Sequence, residues 1–250
     1  MNKIIKILIA IIIVIILVAG GYVGNMFGAF SRGNYGYGDD TVSVVTDSPL
    51  KDKTVIFLGS SVTKGYGSLS VSFADYLESS DGIVAVKEAV SGTTLVDIKD
   101  NSYVSRMKTI DKNINADTFV CQLSTNDATE EMPLGKVSDS FNIDNFDTRT
   151  IAGAIEYIIA FAKDTWDCPV VFYTQAKYDS EHYGKMVGLL FGIQEKWDIT
   201  IIDFWNDENI NNITEEQRNL YLVDHIHPTR AGYRDWWLPK FQECLYKIVE

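Results

Sequence analysis

The sequence predicts an α/β fold with a parallel sheet, preceded by an apolar helix at the N-terminus. Five short β-rich runs alternate with stretches of helical apolar periodicity, which is typical of strands buried between helices. An almost unbroken apolar run at the N-terminus is long enough to cross a bilayer. Globular composition begins near Lys53, and the roughly 200 residues that follow suffice for one domain with a sizeable core.

The N-terminal apolar run covers residues 4–23, about the 20 positions that a membrane-spanning helix needs. Lys3 and Lys6 flank its start, so the positive-inside tendency places the N-terminus in the cytoplasm and the rest of the chain outside. The alternatives are a signal peptide cleaved near Ala19 and a buried core helix. We expect a single-pass membrane protein, or a secreted one if the segment is cleaved.

The chain divides into three predicted parts: residues 1–30 as the membrane or signal segment, residues 31–52 as a flexible tether, and residues 53–250 as the folded domain. The tether is predicted because residues 33–40 are polar and glycine-rich. A net charge of −12 argues against nucleic acid as a partner, which favours a basic surface. The three cysteines are widely spaced and fit neither a disulfide framework nor a zinc pattern, so we expect buried thiols, with one disulfide as the alternative.

The alternation within the domain predicts the individual elements. The predicted strands cover residues 54–58, 83–86, 118–123, 170–174 and 200–204. The predicted helices cover residues 73–77, 150–163, 182–197 and 230–249. Strand–helix alternation favours right-handed crossovers, and in such sheets a site lies beyond the carboxyl ends of the strands. Ser61, Asn126 and the region around Gln175 each follow a strand, so we expect them at one edge.

Two distant segments predict nucleophilic catalysis at this edge. Ser61 lies just past the first strand, and Asp224 precedes His227 by three residues on a predicted loop. A serine needs a base to take its proton, and a carboxylate must hold that base in the right tautomer. Because the chain has only three histidines, few candidates exist for the base.

Four segments together resemble a known enzyme family. They are Gly59-Ser60-Ser61-Val62-Thr63, Val90-Ser91-Gly92-Thr93-Thr94, Ser124-Thr125-Asn126-Asp127 and Asp224-His225-Ile226-His227-Pro228. In this order they resemble the SGNH/GDSL hydrolase family, and the resemblance covers most of residues 53–250. It implies a flavodoxin-like, three-layer α/β/α fold with a five-stranded parallel sheet, and a serine ester hydrolase that requires no metal or organic cofactor.

The resemblance also implies a role for each matching residue. Ser61 matches the nucleophile, His227 the general base, and Asp224 the carboxylate that orients the base. The backbone N–H groups of Ser61 and Gly92 and the side-chain amide of Asn126 match the oxyanion hole. Such donors must be preorganised where negative charge develops on the tetrahedral intermediate.

The sequence departs from the family pattern at two positions. Ser60 stands where the family has an acidic residue, and Ser124 stands where it has a glycine. Family spacing favours Ser61 over Ser60 as the nucleophile. A metal site formed by His225 and His227 with the neighbouring aspartate is the alternative interpretation of the last segment, although no further cluster of metal ligands accompanies it.

We therefore expect an extracytoplasmic serine esterase that hydrolyses an acyl ester, preferably an acetyl ester on a cell-surface glycan. An acyltransferase using the same site, and a non-catalytic surface module that binds glycans or partners, are the alternatives. Residues 127–149 are acidic and follow the third strand, so we expect them to shape substrate choice. Trp205, Trp236 and Trp237 are expected in the core, with stacking on a sugar as the alternative.

Overall fold

The computed structural model describes residues 3–249 and confirms the predicted α/β fold with a five-stranded parallel sheet. The strands lie in the order β2-β1-β3-β4-β5, and every paired neighbour is parallel. Their bounds are β1 Thr54–Gly59, β2 Val84–Ala89, β3 Thr118–Gln122, β4 Val170–Tyr173 and β5 Thr200–Ile202.

Ten α-helices precede, connect or follow these strands within the described residues. They are α1 Lys3–Met26, α2 Ser61–Lys64, α3 Phe73–Asp81, α4 Tyr103–Met107, α5 Thr125–Thr129, α6 Ile151–Trp166, α7 Glu181–Trp197, α8 Glu208–Asn211, α9 Glu215–Tyr221 and α10 Leu238–Val249. Short 3-10 turns at Arg32–Asn34, Asp39–Thr41 and Ile143–Asn145 complete the assignment, together with a π-helical turn at Gly232–Trp237.

The sheet is covered on both faces, as the apolar composition of its strands requires. Successive side chains of β1 alternate between the faces: Ile56 and Leu58 pack with α4, α6 and α7, whereas Val55 and Phe57 pack with α3 and α10. Phe73 of α3 stacks on Phe241 of α10 with ring centroids 3.8 Å apart. The two helical layers hold the strand ends, and therefore the loops that follow them, in a fixed arrangement.

Strand β2 extends three residues beyond its predicted end at residue 86, through Lys87 and Glu88. The charged residues interrupt the apolar run that predicts a buried strand, so the sequence predicts a strand that ends too early. At the sheet edge these side chains form ion pairs. Lys87 Nζ lies 2.6 Å from Asp75 Oδ2, and Glu88 Oε1 lies 2.9 Å from Arg106 Nη1. Edge strands tolerate charged side chains that a central strand excludes.

The last helix follows the predicted range 230–249 but is not uniform. The π-helical turn ends at Trp237, two residues before Pro239, which has no N–H to continue the α-helical ladder. Widening the helix at this point accommodates the proline and lets α10 continue to Val249. The turn also carries Tyr233, whose hydroxyl donates to Val62 O at 2.7 Å behind helix α2.

Helix α1 projects an exposed apolar surface, and among the described residues it is the one helix long and apolar enough to cross a membrane. The predicted tether that follows contacts the domain at several points. Val45 N donates to Ser80 O at 2.7 Å, Tyr76 donates its hydroxyl to Tyr37 O, and Leu50 is buried. The three-part division at residues 30 and 52 stays a prediction.

The three cysteines, Cys121, Cys168 and Cys244, form no disulfide in the structure. Cys121 and Cys168 are buried as expected, and Cys244 is partly buried. Burial raises the pKa of the Cys168 thiol to about 11. Burial also raises the pKa of the Cys121 and Cys244 thiols, so we expect all three to react slowly, because the thiolate is the nucleophilic form.

A buried ion pair fixes part of segment 127–149 against helices α6 and α7. Glu156 is fully buried, and its carboxylate accepts from Lys196 Nζ at 2.5 Å, Trp197 Nε1 at 3.0 Å and Ser138 N at 2.8 Å. Lys196 also donates to the carbonyl oxygens of Ser138, at 2.6 Å, and of Ser140. The ammonium group of Lys196 and the carboxylate of Glu156 therefore hold residues 138–140 of this acidic segment in place.

Replacing Lys196 with Met should lower the free energy of unfolding by about 3–5 kcal/mol, because it leaves the Glu156 charge buried without its counterion. The measurement is chemical denaturation of both proteins. The matched control is Lys185→Met, which removes an exposed pair with Glu181 from the same helix and should change stability little. Equal effects of the two substitutions would contradict the role assigned to the buried pair.

Candidate active site

The turn between β1 and α2 presents Ser61 at the carboxyl edge of the sheet. At Gly59, the last residue of β1, a Cβ would lie 1.7 Å from Thr63 Oγ1, so only glycine fits. Ser60 has φ −115° and ψ −137°, which bends the chain between strand and helix. Ser61 then opens α2, where its backbone N–H belongs to the first turn and has no acceptor within the helix.

The two serines of this turn have different surroundings. Ser60 is fully buried, and both its N–H and its hydroxyl approach Gln122 Oε1, at 2.9 and 3.3 Å. Thr63 Oγ1 donates to the same oxygen at 2.9 Å. Ser60, which stands in place of the family's acidic residue, therefore holds the turn onto β3, and Ser61 is the serine with a basic partner.

Ser61, His227 and Asp224 form a continuous chain of hydrogen bonds. Ser61 Oγ lies 2.8 Å from His227 Nε2, and His227 Nδ1 lies 2.8 Å from Asp224 Oδ2. An ionised carboxylate can only accept, so the neutral imidazole carries its proton on Nδ1 and leaves Nε2 to accept from the Ser61 hydroxyl. This tautomer is the one that a general base acting on Ser61 requires.

The loop that carries Asp224 and His227 is braced by its own backbone. Asp224 Oδ1 accepts from the N–H groups of Ile226 and His227, each at 2.8 Å, while Val223 N donates to His227 O at 3.0 Å. Gln175, just after β4, donates its amide to Ile226 O at 2.5 Å. The imidazole is thus oriented by a tight turn and by a neighbouring strand end.

The ionisation of Asp224 follows from these contacts. Its side chain is 41% exposed. Partial burial acts to raise its pKa, but the hydrogen bonds and the charge of His227, together with the two backbone N–H groups, outweigh burial and lower the pKa to about 2. The carboxylate is therefore ionised at ordinary pH, which its predicted role of orienting His227 requires.

The loop after β2 lies against the loop after β3, where Asn126 is located. Asn126 Nδ2 donates to Thr93 O at 2.9 Å, which leaves the second N–H of the amide for another acceptor. Gly92, beside Thr93, has φ +77°, and a Cβ there would meet no atom within 4 Å. Glycine is needed at this position for its left-handed backbone rather than for close packing.

A buried carboxylate anchors the Gly92 loop. Asp127 is fully buried and accepts from Leu95 N at 2.7 Å and Val96 N at 3.1 Å. Burial raises the pKa of this carboxyl to about 6, although the hydrogen bonds from Ser124 and the two backbone groups act to lower it. Ser124, which replaces the family's glycine, accepts from the N–H groups of Asn126 and Asp127 at 3.2 and 3.3 Å and so caps α5.

Arg106 of α4 links the first two loops of the site. Its Nη2 donates to Gly59 O at 2.8 Å and to Thr93 Oγ1 at 3.0 Å, and its Nη1 lies 2.9 Å from Glu88 Oε1. Sequence reasoning missed Arg106, Gln122, Asp127 and Gln175 in these supporting roles. In the sequence, each of these residues is a polar side chain within or next to a buried element. Such a residue predicts that a hydrogen-bond partner exists, but not which residue the partner is.

Other candidates from the sequence lie outside this arrangement. His182 Nε2 lies 2.9 Å from Met132 O, and His225 is exposed near the ring of Tyr178, 6.0 Å between centroids. Trp205, Trp236 and Trp237 are buried, as the core interpretation requires; Trp237 stacks on Phe204 at 4.4 Å. No stacking surface for a sugar is left on these three rings.

Comparisons with known proteins bear on the family and the fold. A family model described as GDSL-like lipase/acylhydrolase matches residues 55–236, a range that contains every residue of the site. No curated protein matches the chain.

Three solved structures illustrate the shared fold. A protein from Lactobacillus plantarum has a TM-score of 0.66 and 21% identity, covering 79% of this chain and 98% of its own. An acetyl xylan esterase has a TM-score of 0.55 and 16% identity, covering 77% and 99%. A member of the lipolytic G-D-S-L family from Veillonella parvula has a TM-score of 0.55 and 14% identity, covering 77% and 97%. Identities this low show the fold alone.

The lowered pKa of Asp224 predicts how stability depends on pH. A carboxyl whose pKa is lower in the folded chain stabilises it fully above the unfolded pKa near 4, and this contribution disappears as the pH falls towards 2. Wild type should therefore melt at a higher temperature than Asp224→Asn above pH 4, and the difference should close towards pH 2. Thermal unfolding of both proteins across this range is the measurement. A gap that stays constant with pH would contradict the assignment.

Proposed function

The chain belongs to the GDSL-like lipase/acylhydrolase family, a family of ester hydrolases, and we propose that it is an extracytoplasmic serine esterase with Ser61 as its nucleophile. The observation that carries the proposal is the hydrogen-bond chain from Ser61 Oγ through His227 to Asp224, with both links at 2.8 Å. A binding module needs no such chain, whereas acyl transfer to water depends on it.

The first half of the reaction acylates the serine. Ser61 Oγ attacks the ester carbonyl while its proton passes to His227 Nε2, and the charge of Asp224 stabilises the imidazolium that forms. The backbone N–H groups of Ser61 and Gly92 and the free N–H of Asn126 donate to the oxyanion. The tetrahedral intermediate collapses as His227 returns the proton to the leaving alcohol, and an acyl-enzyme remains on Ser61.

The second half repeats these steps with water. His227 takes a proton from a water molecule, the hydroxide attacks the acyl carbonyl, and the same three donors hold the second oxyanion. Collapse returns the proton to Ser61 Oγ and releases the carboxylic acid. Each residue therefore acts twice, and the net reaction consumes one ester and one water and gives one alcohol and one acid.

The N-terminal segment supports the proposed location, and the location favours a class of substrate. Helix α1, with Lys3 before its apolar run, supports a single-pass anchor whose catalytic domain lies outside the cytoplasm. An acetyl ester on a cell-surface glycan is the substrate class that this location favours. Residues 127–149 are proposed to influence the choice among such esters.

A fluorophosphonate probe tests the nucleophile without knowledge of the substrate. We expect wild type to be labelled at Ser61, as mapped by mass spectrometry, and Ser61→Ala to lose turnover of a simple acetyl ester by about 10⁴-fold or more. His227→Ala should abolish labelling, whereas its matched control His225→Ala, two residues away, should keep it. Labelling at Ser60, or turnover by Ser61→Ala, would overturn the proposal.

The amide of Asn126 is expected to act on the transition state. Asn126→Ala should lower kcat by about 10²–10³-fold with a much smaller change in KM, because the oxyanion exists only after attack on the carbonyl. Steady-state kinetics on the same ester measure both constants. The control is Asn113→Ala, an exposed asparagine whose hydrogen bonds among the described residues go to Asp111. It lies in the loop before β3, at the edge of the sheet opposite the site. An unchanged kcat in Asn126→Ala would remove this residue from the oxyanion hole.

A further inference from the structure

The chain segment that leaves helix α1 packs directly beside the catalytic histidine. The ring of Phe27, the first residue after α1, lies 5.9 Å from the ring of Tyr66. The ring of Tyr66 lies in turn 4.7 Å from the imidazole of His227. A single side chain therefore separates the end of the predicted membrane helix from the proposed general base.

The backbones at this junction are in close contact. Gly28 has φ +75°, and a Cβ there would lie 1.9 Å from Gly67 O. At Gly67, with φ +81°, a Cβ would lie 2.5 Å from the Val223 side chain and 3.4 Å from His227 Cβ. We call residues 27–34 the juxtamembrane segment. This segment, the turn at Gly67 and the His227 loop therefore lie in direct contact one after another, and the two glycines make this close packing possible.

Asn34 fastens the same three parts of the chain by hydrogen bonds. Only 2% of this residue is exposed. Its Nδ2 donates to Gly28 O at 2.7 Å and to Gly67 O at 2.8 Å, and its Oδ1 accepts from Arg230 N at 2.8 Å. Because a buried amide that lost these partners would be costly, the juxtamembrane segment is held to the domain rather than lying loosely over it.

Three apolar side chains next to this junction are partly exposed to solvent. Phe27, Phe30 and Leu69 are 46%, 66% and 38% exposed, and Leu69 N donates to Phe27 O at 3.4 Å. Leu69 and Ser70 both have left-handed backbones, with φ of 55° and 66°, a conformation that costs energy outside glycine. We call Phe27, Phe30 and Leu69 the juxtamembrane patch; it continues the exposed apolar surface of α1.

We infer that the juxtamembrane patch rests on the extracytoplasmic surface of the membrane that α1 spans, and that it holds the Ser61–His227 pair close to that surface. The substrate is then an ester carried by a membrane-anchored amphiphile. Phe and Leu side chains are typical of the apolar faces that peripheral protein segments bury at the membrane surface. The contacts of Gly28 and Asn34 prevent the domain from extending away from α1. The inference rests on the proposed function and gives it a narrower substrate class: hydrolysis releases the acid to water and leaves the alcohol on the membrane-anchored molecule.

The test uses the full chain reconstituted in phosphatidylcholine vesicles and two acetyl esters. One is triacetin, which is soluble; the other is a dipalmitoylglycerol acetylated on its third hydroxyl, which stays in the bilayer. The variant carries fifteen Gly and Ser residues between Met26 and Phe27. This insertion keeps the contacts of Phe27, Gly28 and Asn34 with the domain, but adds about 20 Å of flexible chain between the domain and the membrane.

We expect wild type to release acetate from both esters. The insertion should leave triacetin hydrolysis unchanged and lower hydrolysis of the bilayer ester by about tenfold or more. The longer linker lowers the effective concentration of the site at the membrane surface. Triacetin thus serves as the internal control for folding and for the catalytic residues.

The remaining outcomes distinguish a failure of the inference from a failure of the proposed function. Equal hydrolysis of the bilayer ester by wild type and the insertion variant would overturn the inference, as would a wild type that cleaves triacetin alone. A loss of both activities in the variant would also overturn it, since α1 would then act on the catalytic pair and not on access to substrate. No hydrolysis of either ester by wild type would instead contradict the proposed function.

Discussion

The parallel pairing of β1 with β2 on one side and β3 on the other is the constraint on which the site depends. Gly59 is in register with Ala89, and Leu58 is in register with Cys121, so the three strands end side by side. The loops that follow them start from adjacent points and run in the same direction. Ser61, Gly92 and Asn126 are brought together by this register although they are far apart in the sequence.

The strand ends alone do not fix the loops, and buried charge supplies the rest. The guanidinium of Arg106 joins the first loop to the second, and the carboxylate of Asp127 joins the second to the third. Burying a charge is costly unless hydrogen bonds compensate. A different arrangement of the loops would leave the Arg106 or Asp127 charge buried without its partners, so these groups favour the observed arrangement. These contacts fix the loops that carry the proposed oxyanion donors, which must be in place before the charge develops.

The sequence was informative about the fold because the strands of a covered parallel sheet are apolar throughout, and their five runs stand out. It also singled out Ser61, His227 and Asp224, whose catalytic roles stay a prediction, since a serine after a strand and an Asp-x-x-His turn are local patterns. Gln122 and Arg106 escaped prediction because their roles depend on partners distant in the chain. Strand β2 was predicted too short for a related reason: the partners of Lys87 and Glu88 lie on other elements.

The side chain of Asn34 has a consequence for where the catalytic unit begins. Composition alone suggests that a soluble protein starting near Asp40 would contain the whole folded domain. Such a truncation would remove the acceptor of Arg230 N and the donor to Gly67 O. It would also remove Gly28, whose backbone lies against Gly67 beside the His227 loop. A soluble form that keeps these contacts has to include residues 28–34. A foreign anchor or purification tag joined closer to β1 would replace the residues that lie against the Gly67 turn, next to His227.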